Sequence, residues 1–143
     1  MNPNRVDLIR DSFVQMLVEP ERTARLFYDR LFELAPETRL LFKNDMAEQG
    51  RQLVEALARI VTGLSRLEAM LPVLRQLAER HVGYGVEERH YTIAGDALLH
   101  VVAVYGGPNI DPATFDAWAV AYELVAGTMI EASSHLWAMR DAA

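Results

Sequence analysis

Apolar residues recur at three- and four-residue steps through almost the whole chain. Val6, Ile9, Phe13, Met16 and Leu17 form the first such stripe, the spacing of one face of an amphipathic helix. Pro20 suits the first turn of a second helix, where its missing N–H costs nothing. That helix carries Ala24, Phe27, Tyr28, Leu31 and Phe32 and stops near Pro36, which opens a short turn through Leu40, Leu41 and Phe42. The polar stretch KNDMAEQG leads into a helix whose stripe is Leu53, Leu57, Ile60, Val61 and Leu64. Ser65 and Glu68 have the spacing of a capping box that starts a further short piece. Pro72 then enters a helix with Val73, Leu74, Leu77 and His81 on one face, ended by Gly83 and Gly85. Glycine suits that end because it tolerates the left-handed conformation. Tyr91 to Tyr105 predicts another helix. GGPNIDP at 106–112 is a turn, Asp111 a cap, and Phe115 to about Trp137 the longest helix. No stretch alternates with period two. The pattern predicts an all-α chain of about seven helices, two of them short.

Composition narrows the function classes. The 143 residues suit one domain, 1–143, with one core. About half the residues are apolar (51%), and 14 basic against 20 acidic residues give a net charge of −6. No basic run stands out, which argues against nucleic acid and anionic membrane surfaces as partners. No apolar run approaches a membrane span, and the N-terminus lacks the apolar core of a signal peptide, so a cytoplasmic protein is expected. The chain has no cysteine, which excludes disulfides, thiolate ligands and cysteine nucleophiles.

His81 is the candidate with chemistry. It follows Leu77 by four and Leu74 by seven, so its ring shares their inward face. A buried imidazole left unpaired costs about 1–3 kcal/mol, so something inside must bind it. A carbonyl or tyrosine of the core would serve, and so would a metal. The other histidines carry less. His90 falls in the polar turn after GYGV, His100 lies mid-helix, and His135 is near the C-terminus. Glu87 to His90 has the Glu-x-x-His step of di-iron bundles, but no second copy exists. The serines have no glycine-rich elbow around them.

Four stretches taken in order, FYDRLFELAPETRLLF, MAEQGRQL, ERHVGYGVEERHY and AWAVAYELVAG, resemble the globin family. The likeness is to bacterial single-domain globins and the haem domain of flavohaemoglobins. It runs over nearly the whole chain, and the RHVGYGV…HY block is its most specific part. The resemblance implies a globin fold, about seven helices in a two-layer helical sandwich enclosing one haem b, with His81 as the proximal iron ligand through Nε2. A carbonyl one turn back would then accept from Nδ1 and fix the tautomer.

The resemblance also assigns the surroundings. Phe42 would pack flat on the porphyrin, Leu53 would cap the iron, and Leu77, Val86 and Tyr91 would line the ring's edge and proximal side. Tyr28 and Gln49 would be the distal pair, with Gln52 as the competing glutamine. Their hydroxyl and amide would stabilise bound O₂ by hydrogen bonding. In the family, a glutamate on the last helix pairs with the tyrosine at 91 to enrich the proximal histidine. Here Ser133 stands at that place, which weakens any claim to strong electron push.

Three functions follow for weighing. The first is a haem b globin that reversibly binds O₂, NO and CO for storage, transport or scavenging. The second is nitric oxide dioxygenase. The 143 residues leave no room for flavin and nicotinamide domains, so that activity would require a separate flavin reductase. The third is a helical interaction protein without cofactor, which a colourless preparation would identify.

Overall fold

The computed structural model describes residues 1–142. Its elements are α1 (Pro3–Val18), α2 (Pro20–Leu34), a 3₁₀ segment (Pro36–Leu41), α3 (Met46–Gly63), a second 3₁₀ segment (Leu64–Met70), α4 (Leu71–Tyr84), α5 (Glu88–Gly106) and α6 (Pro112–Ala142). No strand occurs among the described residues. The expected count of about seven helices is met by six α-helices joined through two 3₁₀ segments.

Proline and short polar side chains set the helix starts. Pro3, Pro20, Pro36 and Pro72 each occupy a first turn. Asn2 accepts from the Asn4 N–H, Asp45 from Ala47 and Glu48, and Asp111 from Ala113, so each satisfies N–H groups the helix leaves unpaired. The capping box expected at Ser65 does not form. Gly63 holds the cap position of that segment without a side-chain bond, and the Ser65 hydroxyl instead accepts from Arg10 at 3.4 Å. The Arg10 guanidinium also donates to the carbonyls of Val61 and Thr62, so α1 satisfies acceptors that the end of α3 leaves unpaired and draws the Ser65 side chain to the same group. Of the two glycines expected to stop α4, Gly83 lies within the helix and Gly85 (φ 97°) provides the left-handed stop. The last helix runs from Pro112 to Ala142, longer at both ends than its apolar stripe indicates.

The packing pairs α1 with α6, α4 with α6, α2 with α3, α2 with α5 and α5 with α6. This sets α1, α3 and α4 over α2, α5 and α6 in two layers. One large apolar cluster joins α1, α3, α5 and α6 around Ile9, Phe13, Leu64, Val101 and Trp118. Trp118 is a core residue, its ring near Phe13 and its indole N–H bonded to the Ser12 hydroxyl at 2.8 Å. Two smaller clusters flank this core. One gathers Leu74, Ala78, Tyr91, Val125 and Met129 from α4, α5 and α6. The other gathers Tyr28, Leu31 and Ala97 with Phe42, Met46, Leu53 and Ile93. Among the described residues, no helix is long and apolar enough to cross a membrane.

Candidate functional site

The His81 ring enters from the last turn of α4. Its Nδ1 lies 2.6 Å from the carbonyl oxygen of Leu77, one turn back. A carbonyl can only accept, so Nδ1 carries the proton and donates. Nε2 therefore keeps its lone pair, and no hydrogen bond to it occurs among the described residues. Burial lowers the His81 pKa, the Leu77 bond opposing it, so the neutral, metal-binding form prevails at pH 7. The ring stacks on Tyr91 with centroids 6.2 Å apart and planes 22° apart.

Gly85 turns the chain at once. Val86 N–H returns to the His81 carbonyl and Gly85 N–H to that of Val82, a Schellman-type close. The Trp137 indole N–H donates to the Val86 carbonyl at 3.0 Å, so α6 holds the connection. Tyr122 of α6 donates to the Tyr91 carbonyl at 2.5 Å and lies against Gly95, where a Cβ would sit 2.7 Å from its ring. Tyr91 is thus fixed from behind. Its own hydroxyl is buried without a hydrogen-bond partner among the described residues. Burial raises its pKa, with the nearby Ser133 hydroxyl working weakly against that. Ser133 is completely buried and spends its proton on the Met129 carbonyl at 2.8 Å.

Tyr28 and Gln49 meet across the other cluster. The Tyr28 side chain is buried, edge-on to Phe27 and Phe42 and stacked near Phe32. Its hydroxyl donates to the main-chain oxygen of Gln49 at 3.3 Å. Burial pushes its pKa up to about 12, so it stays a donor at neutral pH. Gln49 lies half-buried in the first turns of α3, and its side-chain amide makes no hydrogen bond among the described residues. Gln52 is exposed and donates to Glu48, so it faces away from this cluster. Leu53 packs with Tyr28 and Phe42. The structure thus brings Tyr28, Gln49, Phe42 and Leu53 together in one group and His81, Leu77, Val86 and Tyr91 in another.

Some contributors carry no sequence signal of their own. Ile93 and Met46 join the Tyr28 group, and Trp137 and Tyr122 anchor the His81 side. Gly50 lets α3 approach α2. A Cβ there would lie 2.8 Å from that of Ala24, and this close crossing sets Gln49 beside Tyr28. His90, expected in a polar turn, is buried within the first turn of α5. Proline-free EERH leaves helix and turn equally open to the eye. The helix prevails because Glu87 and His90 cap it.

These residues fit a flat apolar group that carries a metal. Phe42, Leu53, Leu77 and Val86 are apolar members of the two clusters, yet the protein leaves each only half-buried. The His81 lone pair is the donor that a porphyrin iron takes.

Comparison with known proteins agrees. The Globin family model matches residues 25–129. A flavohemoprotein of Bacillus thuringiensis subsp. konkukian is 30% identical over 143 residues, covering 96% of this chain and 34% of the relative. One from Bordetella parapertussis is 33% identical over 121 residues, covering 82% of this chain and 30% of the relative. The chain therefore spans about a third of the length of these flavohemoproteins. A bacterial globin from Campylobacter jejuni superposes with TM-score 0.79 at 29% identity, covering 94% of this chain and 97% of that one. An engineered carbene transferase, made from a nitric oxide dioxygenase candidate of Rhodothermus marinus, superposes with TM-score 0.85 over 99% of both chains, and at 23% identity speaks to the fold. The chain belongs to the globin family, with that family's fold, and haem b is its cofactor.

Proposed function

We propose that residues 1–143 act as one gas-binding domain that reversibly takes up O₂, with NO and CO as further ligands. Haem b supplies the iron at which such a gas binds. His81 would hold that iron through Nε2. The single observation carrying this reading is its imidazole, with Nδ1 tied at 2.6 Å to Leu77 and Nε2 left a free lone pair. Tyr91, stacked on the ring, restrains its rotation. Phe42, Leu53, Leu77 and Val86 would cover the flat apolar group and exclude water from it.

On the opposite side, Tyr28 and Gln49 would donate hydrogen bonds to the gas. The Tyr28 bond to Gln49 is long at 3.3 Å, near the weak end of the range, and a hydroxyl proton rotates to suit a better acceptor. The Gln49 amide has no competing partner among the described residues. Each such bond is worth about 0.5–1.5 kcal/mol, or up to roughly tenfold in affinity. O₂, which gains negative charge on binding, profits more than CO. The Tyr91 hydroxyl, facing a serine already committed to Met129, offers His81 no anionic partner. That favours carriage of O₂ over cleavage of its O–O bond.

The likeness to flavohemoproteins favours a second reading, nitric oxide dioxygenase served by a separate flavin reductase in the cytoplasm. Absorption spectra of the reduced, oxy and CO forms test the first reading. A histidine-ligated haem that releases O₂ unchanged supports it, and a colourless protein refutes it. Oxy protein mixed with NO separates the two: catalytic nitrate formation with added reductase supports the dioxygenase, and its absence leaves the carrier.

A further inference from the structure

The start of α5 is closed by a reciprocal capping box. Glu87, extended at φ −112° and ψ 168°, accepts from the main-chain N–H of His90, and His90 Nδ1 accepts from the main-chain N–H of Glu87 at 2.8 Å. The usual residue at the third helical position of such a box is Glu or Gln. Histidine differs in one respect. It accepts only while a ring nitrogen is unprotonated, since both nitrogens donate in the cation. The bond therefore demands the Nε2–H tautomer, and a proton on Nδ1 turns an acceptor into a second donor facing an N–H.

The ring is sheltered, with 7% of His90 exposed. The charges around it come from three elements. Arg89 adjoins it on α5 and bonds Glu87 at 3.1 Å. Glu37, from the Pro36–Leu41 segment, meets Arg89 at 3.3 Å. Arg140 of α6 reaches Glu87 at 3.8 Å. Burial and Arg89 lower the His90 pKa, while Glu87 and Glu37 oppose this.

Position gives the bond its consequence. Val86, just before the box, is held by Trp137. Tyr91, just after it, stacks on His81. The first turn of α5, together with the Tyr122 bond to the Tyr91 carbonyl, therefore sets how Tyr91 meets the His81 ring.

We propose that His90 is an acid-sensitive positioning residue whose neutral ring latches the first turn of α5 and so holds Tyr91 against His81, the latch opening when the ring takes a proton. The latch belongs to the polypeptide, and only its effect on iron ligation rests on the haem reading. The direction follows from linkage. The folded state holds the neutral ring, and the unfolded chain takes the proton at about pH 6.5. The unfolded state therefore binds more protons below that pH, and the stability given by the latch falls as pH falls through the folded value.

NMR on the full chain as purified, in its CO form, reads the latch as the His90 ring tautomer and the exchange protection of the Glu87 amide between pH 8 and 5. The expected result is an Nε2–H tautomer at high pH and a loss of protection of about tenfold as His90 protonates. His90→Gln, which keeps an acceptor that does not titrate, should hold protection across the range, and His90→Ala should lack it throughout. A proton on Nδ1 at high pH, or the same acid loss in His90→Gln, overturns the proposal. Should His90→Ala fail to fold, wild type against His90→Gln decides alone. A chain purified without haem gives the same titration, so failure of the haem reading remains separate from failure of the latch.

Discussion

Replacing Gly50 with alanine sets two effects of similar size against each other. Glycine in a helix interior is about 1 kcal/mol less favourable than alanine, so an unobstructed site would gain stability. Gly50 is obstructed. Its new Cβ would lie 2.8 Å from the Cβ of Ala24, and both atoms are fixed to backbone. Neither can rotate away, so α2 and α3 must separate until the pair reaches at least 3.4 Å, the onset of ordinary contact. Overpacking of this kind costs about 1–3 kcal/mol. The steric term wins, and Gly50→Ala should destabilise by about 1 kcal/mol. Gly83 is the control. It lies exposed in the last turn of α4 with nothing within 4 Å of the added Cβ, so Gly83→Ala should gain up to about 1 kcal/mol. Urea unfolding measures both as shifts in midpoint at unchanged slope. Adding Ala24→Gly to Gly50→Ala should recover part of the loss by restoring room. The separation also moves Gln49 relative to Tyr28, so O₂ should leave Gly50→Ala faster. A Gly50→Ala protein as stabilised as Gly83→Ala would refute the close crossing.

Tyr28→Phe and Gln49→Leu should each release O₂ several-fold faster in stopped flow, by the roughly 1 kcal/mol of a hydrogen bond, with CO release changed less. Equal rates would defeat the distal pair. The Tyr28 phenol, pushed up to about 12 by burial, also predicts an alkaline signature. Below about pH 10 both folded and unfolded chains keep the proton. Between there and pH 12 the unfolded chain releases it first, so stability falls as pH rises. A phenolate absorbance titration of wild type minus Tyr28→Phe should show the late ionisation. Tyr91→Phe removes a buried hydroxyl that has no partner among the described residues, so its Tm should stay level or rise, where a hydrogen-bonded tyrosine would cost about 1 kcal/mol.

The helices were legible because each buries one stripe. Val6, Ile9, Phe13 and Met16 recur at the helical period and all four are buried, whereas Leu17, the last of that predicted stripe, is exposed. His81 was legible for the same reason, standing where the Leu74 and Leu77 face returns, and its expected bond to a carbonyl one turn back is present. What the pattern could not carry is competition among polar groups. Ser65 and Glu68 have capping-box spacing, yet Arg10, 55 residues away in sequence, claims the Ser65 hydroxyl and the carbonyls before it. His90 reads as part of a polar turn because its neighbours are charged, and it is instead the third helical residue of the box that Glu87 opens at the start of α5. Gly83 and Gly85 are alike in sequence, and only the second takes a positive φ, because the carbonyls of His81 and Val82 fix the turn there. Pairings across the layers, such as Tyr122 on Gly95 and Trp137 on Val86, depend on how helices cross, which one-dimensional periodicity does not encode.

The assignment of His81 to iron is open to a spectroscopic check. The resonance Raman spectrum of the reduced, gas-free protein should show an iron–histidine stretching band. That band should vanish in His81→Gly and return, shifted, when free imidazole is supplied to the cavity so created. A band unchanged in His81→Gly would mean that the iron takes its protein ligand from elsewhere.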